Sequence, residues 1–395
     1  MRNVYPVVSL LVSVLIAAAV TGWGLLLNLA FLLVGLLALA WLWSWASLRW
    51  LDVRLDVPGE RFQVGEEVVE RVALRSRALF PRLWIAVLDQ STLPGHVPGR
   101  VADLPPFATR AWTLRTLCQR RGLYRLGPVE LRSGDPFGCF VARRSVAAGR
   151  EVLVLPATEP LPELHLPSRD LPGGARTRAA SFNSSAQASS IRDYVPGDPV
   201  NRVHWRSTAR LGRLIVKEVE HEPTADLWLA LDLDASVQAG AGLASTEEYA
   251  VTAAASIARR FLEAGRAVGL ALAADRHLLL QPDRGERQLE RVLEELALVR
   301  AEGTMPFADL LRSDAMRPDR NAALVAVTPS LDPAWPEALQ LATQRGARAV
   351  AVLVEPSTFG GRDSSIHLIG QLAAANVPTY LVKRGAPLAE SLRTP

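Results

Sequence analysis

The chain opens with a long apolar run. Residues 3–48 contain no Asp, Glu, Lys or Arg. A membrane-spanning helix needs about 20 apolar residues, so the run is long enough for two helices. The glycines on either side of Trp23 are poor helix formers and mark a break. We therefore predict a transmembrane hairpin over residues 1–50, with spans near 5–21 and 25–46.

Basic residues flank this run, and the predicted turn carries none. Arg2 precedes the first span, and Arg49 and Arg54 follow the second. Segments next to a span that carry Lys or Arg stay in the cytoplasm. The pattern predicts a protein of the inner (cytoplasmic) membrane with two spans and with its soluble domains in the cytoplasm. The alternative is a signal peptide cleaved near Ala19, although the second run would still anchor the chain.

After the apolar run, short stretches alternate between apolar and polar residues, as in 68–74. Turns rich in Gly, Pro and Asp separate them. This texture is typical of antiparallel strands. It predicts a β-sandwich-like domain over residues 51–160, which we interpret as structural. We expect Cys118 and Cys139 to be separate packing residues and not a disulfide.

The pattern changes again in the last part of the chain. Continuous apolar runs such as 227–231 are typical of buried parallel strands, and amphipathic segments such as 246–264 predict helices between them. Strand–helix alternation predicts an α/β doubly wound parallel sheet over 224–386, followed by a tail over 387–395. No glycine-rich nucleotide loop follows the first strand, which argues against Rossmann and P-loop domains.

Composition adds a local contrast in charge. The 395 residues carry a net charge of only +4, which excludes a uniformly basic nucleic-acid coat. Residues 172–217 nevertheless have a net charge of +6, whereas 218–234 contain six acidic residues and no Lys or Arg. Two interpretations remain open. The arginines pair with carboxylates inside the protein, with Tyr194 and Trp205 as packing anchors, or they bind an anion or a partner.

The basic segment contains a spaced motif, formed by Arg192, Tyr194, Gly197, Asp198, Arg202, Trp205, Ala209 and Arg210. This motif resembles the signature of the bacterial family called domain of unknown function 58. Gly122-Leu123-Tyr124 and Asp135-Pro136-Phe137-Gly138 also resemble patterns of that family. The resemblance implies two membrane spans, a β-domain and a von Willebrand factor A-like domain, here over 224–386. It also implies a MoxR-type AAA+ ATPase as partner. We assign 161–223 to a linker and this motif.

The resemblance also implies a metal site. A von Willebrand factor A domain binds Mg²⁺ through a D-x-S-x-S motif and a distant threonine, and oxygen ligands of this kind suit Mg²⁺. The matching residues are Asp232, Asp234, Ser236 and Thr304, with Asp in place of the first Ser. Thr328 stands where a later acidic ligand is expected. The alternative is a degenerate site whose carboxylates pair with the neighbouring arginines.

Three functional hypotheses follow. The favoured one is a membrane-anchored, cytosol-facing interaction or scaffold protein that assists a MoxR-type ATPase in the assembly or maturation of other proteins. The second is a metal-assisted envelope enzyme using the Asp232 loop. The third is binding of anionic lipid or nucleic acid by the basic segment 176–217. We expect no enzyme, because Asp198, His204 and Ser207 lack the spacing of a hydrolase.

Overall fold

A computed structural model shows the fold. It describes residues 4–97, 99–147, 149–161, 164, 190–195, 203–218, 226–274, 277–313, 316 and 322–395. The chain divides into two compact units. The first unit comprises 1–159, 241–256 and 290–300, and the second comprises 160–240, 257–289 and 301–395.

Two apolar helices begin the first unit, α1 (Val4–Thr21) and α2 (Gly24–Ser47). Stretches of 18 residues within them reach mean hydropathies of 2.3 and 2.5. Both helices are therefore long and apolar enough to cross a membrane. Gly22 between them has a φ of +66°, a conformation that a residue without a Cβ adopts readily. The two predicted helices are confirmed, nearly at their predicted bounds.

Strands make up most of the rest of the first unit. They are β1 (Leu51–Asp56), β2 (Arg61–Gln63), β3 (Glu67–Ser76), β4 (Arg82–Asp89), β5 (Gly99–Leu104), β6 (Thr109–Leu117), β7 (Gly122–Leu126), β8 (Val129–Gly134), β9 (Val141–Ala147) and β10 (Arg150–Leu155). The sheets β1–β3–β6 and β5–β4–β8–β9 are antiparallel throughout. In a third sheet, β10 pairs in parallel with β2 and antiparallel with β7.

Two hydrophobic clusters form the core of these sheets. The first joins residues of β1 and β3 with residues of β4 and β8, including Val72 and Ile85. The second includes Val68 and residues of β7 and β10. Cys118 and Cys139 are buried free thiols, which confirms that they do not form a disulfide with each other.

Two arginines fix the end of α2 against the strands. Arg82 in β4 donates hydrogen bonds to the carbonyls of Ala46 and Arg49, the latter at 2.9 Å. Arg144 in β9 donates to the carbonyl of Leu48 at 2.9 Å. The last carbonyls of a helix have no partner within it, and cations are favourable there. The guanidinium groups therefore complete the hydrogen bonding where α2 ends.

The second unit contains a six-stranded sheet. Its strands are β13 (Leu227–Asp232), β16 (Val268–Ala273), β17 (His277–Asp283), β18 (Ala323–Thr328), β19 (Arg348–Val354) and β20 (Thr379–Val382). The spatial order is β17–β16–β13–β18–β19–β20. The remaining strands are β11 (Ser190–Asp193), β12 (Ile215–Glu218), β14 (Gly240–Ala241) and β15 (Ala244–Ser245).

Five strands of this sheet are parallel, and one edge strand is not. All six residues of β13, β16 and β18 are buried, so both faces of the sheet are covered, as expected for parallel strands. β17 runs antiparallel to β16, which corrects the prediction of a wholly parallel sheet. The physical reason is the short connection over 274–276, because a parallel crossover needs about a dozen residues.

Most helices lie between these strands in chain order. The helices after α2 are α3 (Trp205–Leu211), α4 (Thr246–Glu263), α5 (Glu286–Leu298), α6 (Phe307–Arg312), α7 (Ala334–Gln344), α8 (Ile366–Ala374) and α9 (Leu388–Ser391). Phe307, Trp335 and Leu368 pack with Trp228 and Leu324 of the sheet in one cluster. Helix α6 was not among the predicted helices, and α9 lies within the predicted tail.

Candidate functional site

The signature motif folds locally as a strand, a short helix and a strand. β11 pairs antiparallel with β12, and α3 lies between them in the chain. The ring of His204 caps α3, because its Nδ1 accepts a hydrogen bond from the amide of Ser207 at 3.2 Å. Gly212 ends the helix with a φ of +67°, as is common after helices. The structure therefore shows His204 and Ser207 in a helix cap.

The helix α3 presents an aromatic and basic surface to solvent. Trp205 is 63% exposed, and Leu211 and Leu214 are also exposed. Arg206 and Arg210 are exposed beside them. We call these five residues the α3 surface. The predicted role of Trp205 as a packing anchor is wrong, because none of the residues of this short helix is buried.

The other motif residues are described in part. Tyr194 is half-buried, and its amide donates to the carbonyl of Leu214 at 2.9 Å. The backbone of Arg192 lies in β11 opposite Val216, and Ala209 is an exposed residue of α3. The predicted site residues Gly197, Asp198 and Arg202 lie outside the described residues.

The Asp232 side chain lies at the carboxyl end of β13 and is buried. Its Oδ2 accepts a hydrogen bond from the hydroxyl of Thr328 at 2.6 Å, and its Oδ1 accepts one from the amide of Asp234 at 3.1 Å. Burial raises the pKa of Asp232 to about 6, although the hydrogen bond from Thr328 acts in the opposite direction. Thr328 ends β18, whose neighbour in the sheet is β13.

The remaining predicted ligands lie on loops that pair with each other. Asp234 forms an isolated parallel bridge with Gly303, and the amide of Ala235 donates to the carbonyl of Gly303 at 2.9 Å. Thr304 therefore follows directly on the segment that lies beside the Asp232 loop. Ser236 and Thr304 are exposed. The Oδ1 atom of Asp234 accepts a hydrogen bond from the amide of Ser236 at 2.9 Å.

This donor set matches the predicted Mg²⁺ site only incompletely. Thr328 occupies the place of the later acidic ligand. Its hydroxyl donates a hydrogen bond to Asp232, whereas a metal ligand at this place would have to face the ion. Both Asp232 oxygens already accept hydrogen bonds from the protein. Among the described residues, the acidic and histidine side chains grouped closely enough for a metal ion lie elsewhere. Metal binding by the Asp232 loop stays a prediction, and the proposed function does not depend on it.

The alternative pairing with arginines is also untested for part of the motif. Arg206 and Arg210 form no ion pair with Asp232 or Asp234 among the described side chains. The side chain of Arg192 and the whole of Arg202 lie outside the described residues. The observed ion pair of this region joins Arg213 to Asp193 at 3.0 Å, with both side chains largely exposed. Exposed pairs contribute little to stability.

A second buried carboxylate lies at the same edge of the sheet. Glu355 directly follows β19 and is almost completely buried. It accepts hydrogen bonds from the amide and hydroxyl of Ser357, the latter at 2.7 Å, and from the amide and hydroxyl of Ser365. Burial acts to raise the pKa of Glu355, but these hydrogen bonds outweigh it and lower the pKa below its ordinary value.

A third group of buried ionisable side chains lies in the first unit, and sequence reasoning missed it. Glu70, Asp89 and His96 place one potential ligand atom each within 4.8 Å of the others. Burial raises the pKa of Glu70 to about 7. Burial also acts to raise the pKa of Asp89, but the adjacent His96, together with Glu70 and the amide of Gly127, lowers that pKa below its ordinary value. Asp89 in turn raises the pKa of His96.

The sequence did contain a signal for this group. In β3, Glu70 has the same parity as Val68 and Val72, and residues two apart in a strand share a face. A glutamate on the apolar face of a strand is rarely buried without a partner. The alternation should therefore have marked Glu70 as a candidate functional residue. Its partners come from other segments, and one sequence does not show which they are.

The two other patterns that resemble the family, Gly122-Leu123-Tyr124 and Asp135-Pro136-Phe137-Gly138, form hydrogen bonds within the first unit. Asp135 accepts hydrogen bonds from the amides of Phe137 and Phe140, at 2.9 and 2.5 Å, and so closes the turn at Gly138. The hydroxyl of Tyr124 donates to the carbonyl of Arg121 at 3.2 Å.

Arg121, just before Gly122, is completely buried. It forms ion pairs with Glu247, at 2.6 Å, and with Glu248. It also donates to the carbonyls of Leu296 and Val299 at 2.9 and 3.0 Å. All of these residues belong to the first unit. Removing one partner of such a buried pair is strongly destabilising, so we interpret this arginine as structural.

The chain matches a known protein family over the region that contains the motif. Residues 190–358 match the family described as "Protein of unknown function DUF58". The match begins at β11 and ends shortly after Glu355. It therefore includes the α3 surface, the Asp232 loop and the strands from β11 to β19.

Related proteins are similar over different lengths. The chain is 25% identical over 334 residues to "Uncharacterized protein YeaD" of Bacillus subtilis, covering 82% of this chain and 79% of that protein. It is 30% identical over 144 residues to "Uncharacterized protein Mb1516" of Mycobacterium bovis, covering 34% of this chain and 44% of that protein. A solved CARDB domain from Pyrococcus furiosus matches 27% of this chain with 14% identity and a TM-score of 0.21. A TM-score of this size supports no conclusion.

Proposed function

We propose that the protein is a membrane-anchored interaction or scaffold protein that binds a protein partner through the α3 surface. The observation that carries this proposal is the exposure of Trp205 on a short basic helix inside the family signature. An indole that is 63% exposed gains only part of the available hydrophobic stabilisation in the free protein. It gains the rest only when a partner covers it.

The composition of the α3 surface supports binding of a protein. Trp and Arg are the side chains most enriched among residues that dominate protein–protein binding energy. The second unit contains two other tryptophans with a different environment: Trp228 and Trp335 are both buried in the core. The exposed indole of Trp205 is therefore not a general property of the tryptophans in this unit.

The proposal places the two apolar helices across the inner membrane and the rest of the chain in the cytoplasm. Its support is the length and hydropathy of α1 and α2 and the arginines on the flanks of the run. The end of α2 is hydrogen-bonded to Arg82 and Arg144, so the strands of the first unit start directly at the proposed membrane surface. This arrangement suits a protein that holds its partner near a membrane.

We further propose that the first unit is β-sandwich-like and that the sheet of the second unit is von Willebrand factor A-like. Two antiparallel sheets that share one core support the first assignment. The strand order, with β13 central and the antiparallel β17 at one edge, supports the second. The family resemblance supplies the partner class, a MoxR-type AAA+ ATPase. The positive charge of α3 favours an acidic surface on that partner.

The experiment is site-directed photocrosslinking of the full chain in its native membranes. A photoreactive residue replaces Arg210, and the crosslinked product is identified by mass spectrometry. We expect crosslinks to the MoxR-type ATPase of the same organism. We also expect Trp205→Ala to reduce them strongly, because loss of a dominant aromatic costs about 2 kcal/mol or more, which is about 30-fold in affinity.

Two controls make the result specific. Trp84→Ala removes a comparably exposed tryptophan of the first unit and should leave the crosslinks unchanged. The double variant Arg206→Ala with Arg210→Ala, probed from Leu214, should lower the yield more at low salt than at high salt. Crosslinks to lipid alone would replace the proposal with anionic lipid binding. No crosslink to the ATPase, or equal yields with Trp205→Ala and Trp84→Ala, would contradict it.

A further inference from the structure

The group formed by Glu70, Asp89 and His96 is brought together by three separate segments of the first unit. Glu70 lies in β3, Asp89 ends β4, and His96 lies in the loop that leads to β5. Neighbours of Glu70 on its strand belong to two different hydrophobic clusters, Val68 to one and Val72 to the other. The carboxylate is therefore surrounded by apolar core and not by water.

The polar atoms of this group lack the hydrogen bonds that buried polar atoms normally have. Glu70 is 0% exposed, and the side chain of His96 is 2% exposed. Within the described part of the chain, both carboxylate oxygens of Glu70, Oδ2 of Asp89 and Nε2 of His96 form no hydrogen bond of good geometry. Their nearest charged neighbours are one another, with Nε2 of His96 3.4 Å from Oδ2 of Asp89 and Nδ1 of His96 3.8 Å from Oε1 of Glu70. The large majority of buried side-chain polar atoms do have a hydrogen-bond partner. Four such atoms in one place indicate that something else satisfies them.

The distances suit a metal ion. Two ligands that each lie about 2.0–2.1 Å from zinc at the tetrahedral angle are about 3.4 Å apart. Oδ2 of Asp89 and Nε2 of His96 are 3.4 Å apart. Glu70 completes a set whose members lie within 4.8 Å of one another.

Outer contacts engage one atom each of His96 and Asp89, and Nδ1 of His96 also lies 3.8 Å from Oε1 of Glu70. Nδ1 of His96 lies 3.1 Å from the hydroxyl of Thr116, so a proton on Nδ1 leaves the lone pair on Nε2. The amide of Gly127 donates to Oδ1 of Asp89 at 2.9 Å, which leaves Oδ2 available. A histidine ligand is normally held through its other ring nitrogen in this manner, and carboxylate ligands are hydrogen-bonded in turn.

The donor types select the class of ion. Imidazole nitrogen suits zinc and other first-row transition metals, whereas Mg²⁺ and Ca²⁺ prefer oxygen ligands alone. Two carboxylates together with one imidazole also balance a double positive charge. We propose that Glu70, Asp89 and His96 bind one divalent transition-metal ion, with Zn²⁺ as the probe. The ion joins β3, β4 and the loop before β5.

The proposal is tested on the full chain in detergent, purified without a histidine tag. The protein is stripped with a chelator, and Zn²⁺ binding is measured by calorimetry. Metal content is measured separately on protein that was purified without exposure to a chelator. We expect one Zn²⁺ per chain. At 100 times the dissociation constant, we expect the melting temperature to rise by about 5–10 °C.

Variants locate the ion. Glu70→Gln and His96→Gln should each abolish the Zn²⁺-dependent rise in melting temperature. Thr116→Val keeps all three ligands and should weaken binding about 10–100-fold, as loss of an outer contact typically does. His367→Gln changes an exposed histidine of α8 and should change nothing. Asp232→Asn should also leave Zn²⁺ binding intact, which separates this site from the Asp232 loop.

X-ray absorption at the zinc edge of the wild type does not depend on whether the variants fold. It should show one imidazole and otherwise oxygen ligands. The proposal is overturned if the stripped wild type binds no Zn²⁺, if the zinc spectrum contains no imidazole, or if His96→Gln and His367→Gln bind equally. In those cases shared protons, and not a metal ion, hold the three side chains together.

Discussion

Glu70 in the first unit and Glu355 in the second are both buried glutamates, yet their pKa values are displaced in opposite directions. The pKa of Glu70 is raised to about 7 by burial. The pKa of Glu355 is lowered, since hydrogen bonds outweigh burial. Among the described residues, Glu70 accepts no hydrogen bond and Glu355 accepts four. The difference lies in the donors that the fold aims at each carboxylate.

Asp232 falls between these two extremes. It accepts two hydrogen bonds, and its pKa is raised to about 6. Burial disfavours the charged form, and each donor favours it. The three carboxylates therefore form a series in which the number of donors decides whether burial prevails. A buried carboxylate that lacks hydrogen-bond donors is stabilised by binding a proton or a cation. For this reason we propose a metal ion at Glu70 and not at Asp232.

The largest effect is expected when the donors to Glu355 are removed. The double variant Ser357→Ala with Ser365→Ala should lose about 3–5 kcal/mol at pH 7.5, because each hydrogen bond to a charged group contributes about 1.5–3 kcal/mol. Since the folded-state pKa is lowered, this stability is present above the ordinary pKa of 4.5. It is lost as the pH falls through the folded-state value. Chemical denaturation from pH 7.5 to pH 3 measures it.

The matched control for this variant is Ser391→Ala. The exposed Ser391 hydroxyl donates to the backbone carbonyl of Pro387 at 3.1 Å, so its replacement should have little effect at either pH. Adding Glu355→Gln to the double variant should recover part of the lost stability, because the uncompensated charge is gone. A loss that is the same at pH 7.5 and pH 3 would show that the serines act through packing and not through the charge.

A smaller effect of opposite sign is expected for Asp232→Asn. The folded-state pKa of about 6 lies above the ordinary value of 3.8, so the folded protein binds more protons between these values. The contribution of Asp232 to stability is full below pH 4 and is lost as the pH rises through 6. A shift of about two pKa units corresponds to about 3 kcal/mol. The free energy of unfolding of the variant relative to wild type should therefore rise by about 3 kcal/mol between pH 4 and pH 8. Both proteins are measured in the presence of a chelator.

The same variant tests the predicted Mg²⁺ site. If the loop binds Mg²⁺, the ion should raise the melting temperature of wild type and not that of Asp232→Asn. If Mg²⁺ changes neither, the metal-assisted enzyme hypothesis loses the Asp232 loop as its site. A variant whose relative stability does not change between pH 4 and pH 8 would instead contradict the raised pKa.

Thr328→Val should have a more modest effect, about 1–2 kcal/mol at pH 8. The substitution keeps the shape of the side chain but removes one of the two donors to Asp232 and the acceptor of the Ser330 amide, so two buried polar groups lose a partner. Only the first loss depends on the charge of Asp232. The loss should be smaller at pH 4, where the carboxyl is protonated. Thr343→Val is the control, because that hydroxyl donates to a carbonyl within α7. If Thr328→Val and Thr343→Val lose equal stability, the hydrogen bond from Thr328 does not stabilise the charged form of Asp232.

Much of the fold could be predicted because its signals are local. The strands of the second unit that are buried on both faces form continuous apolar runs, and the helices between them have clear periodicity. Helix α6 escaped prediction since its six residues are too few to show a period. The antiparallel direction of β17 follows from the short connection between β16 and β17. The prediction of a wholly parallel sheet did not take the length of this connection into account.

The candidate sites were harder to predict because their contacts are not local. The sequence placed Asp232 and Thr328 at the ends of two strands, but only the strand order makes β13 and β18 neighbours. The role of Thr328 as a donor could then be recognised. For Trp205, an aromatic residue within a basic segment fits both a buried anchor and an exposed contact. The structure decided between them through the exposure of α3.

The smallest effect on stability is expected for Trp205→Ala. Substitutions at exposed positions usually change stability by less than about 0.5 kcal/mol, and Trp205 is mostly exposed. The buried Trp335 provides the contrast, because its indole nitrogen donates to the carbonyl of Ser330 at 3.1 Å and its ring packs against Phe307. Trp335→Ala should cost about 3–5 kcal/mol. Chemical denaturation of both variants measures the difference.

Trp205 and Trp335 differ in their surroundings much as Glu70 and Glu355 do, but here the group is apolar. A carboxylate without donors is costly when buried, and a largely exposed indole gains little hydrophobic stabilisation, so we propose that each binds a second component. Trp205→Ala should therefore combine near-normal stability with loss of the crosslinks from α3. If it destabilises the protein as much as Trp335→Ala, the indole packs within the chain, and the α3 surface is not free to bind a partner.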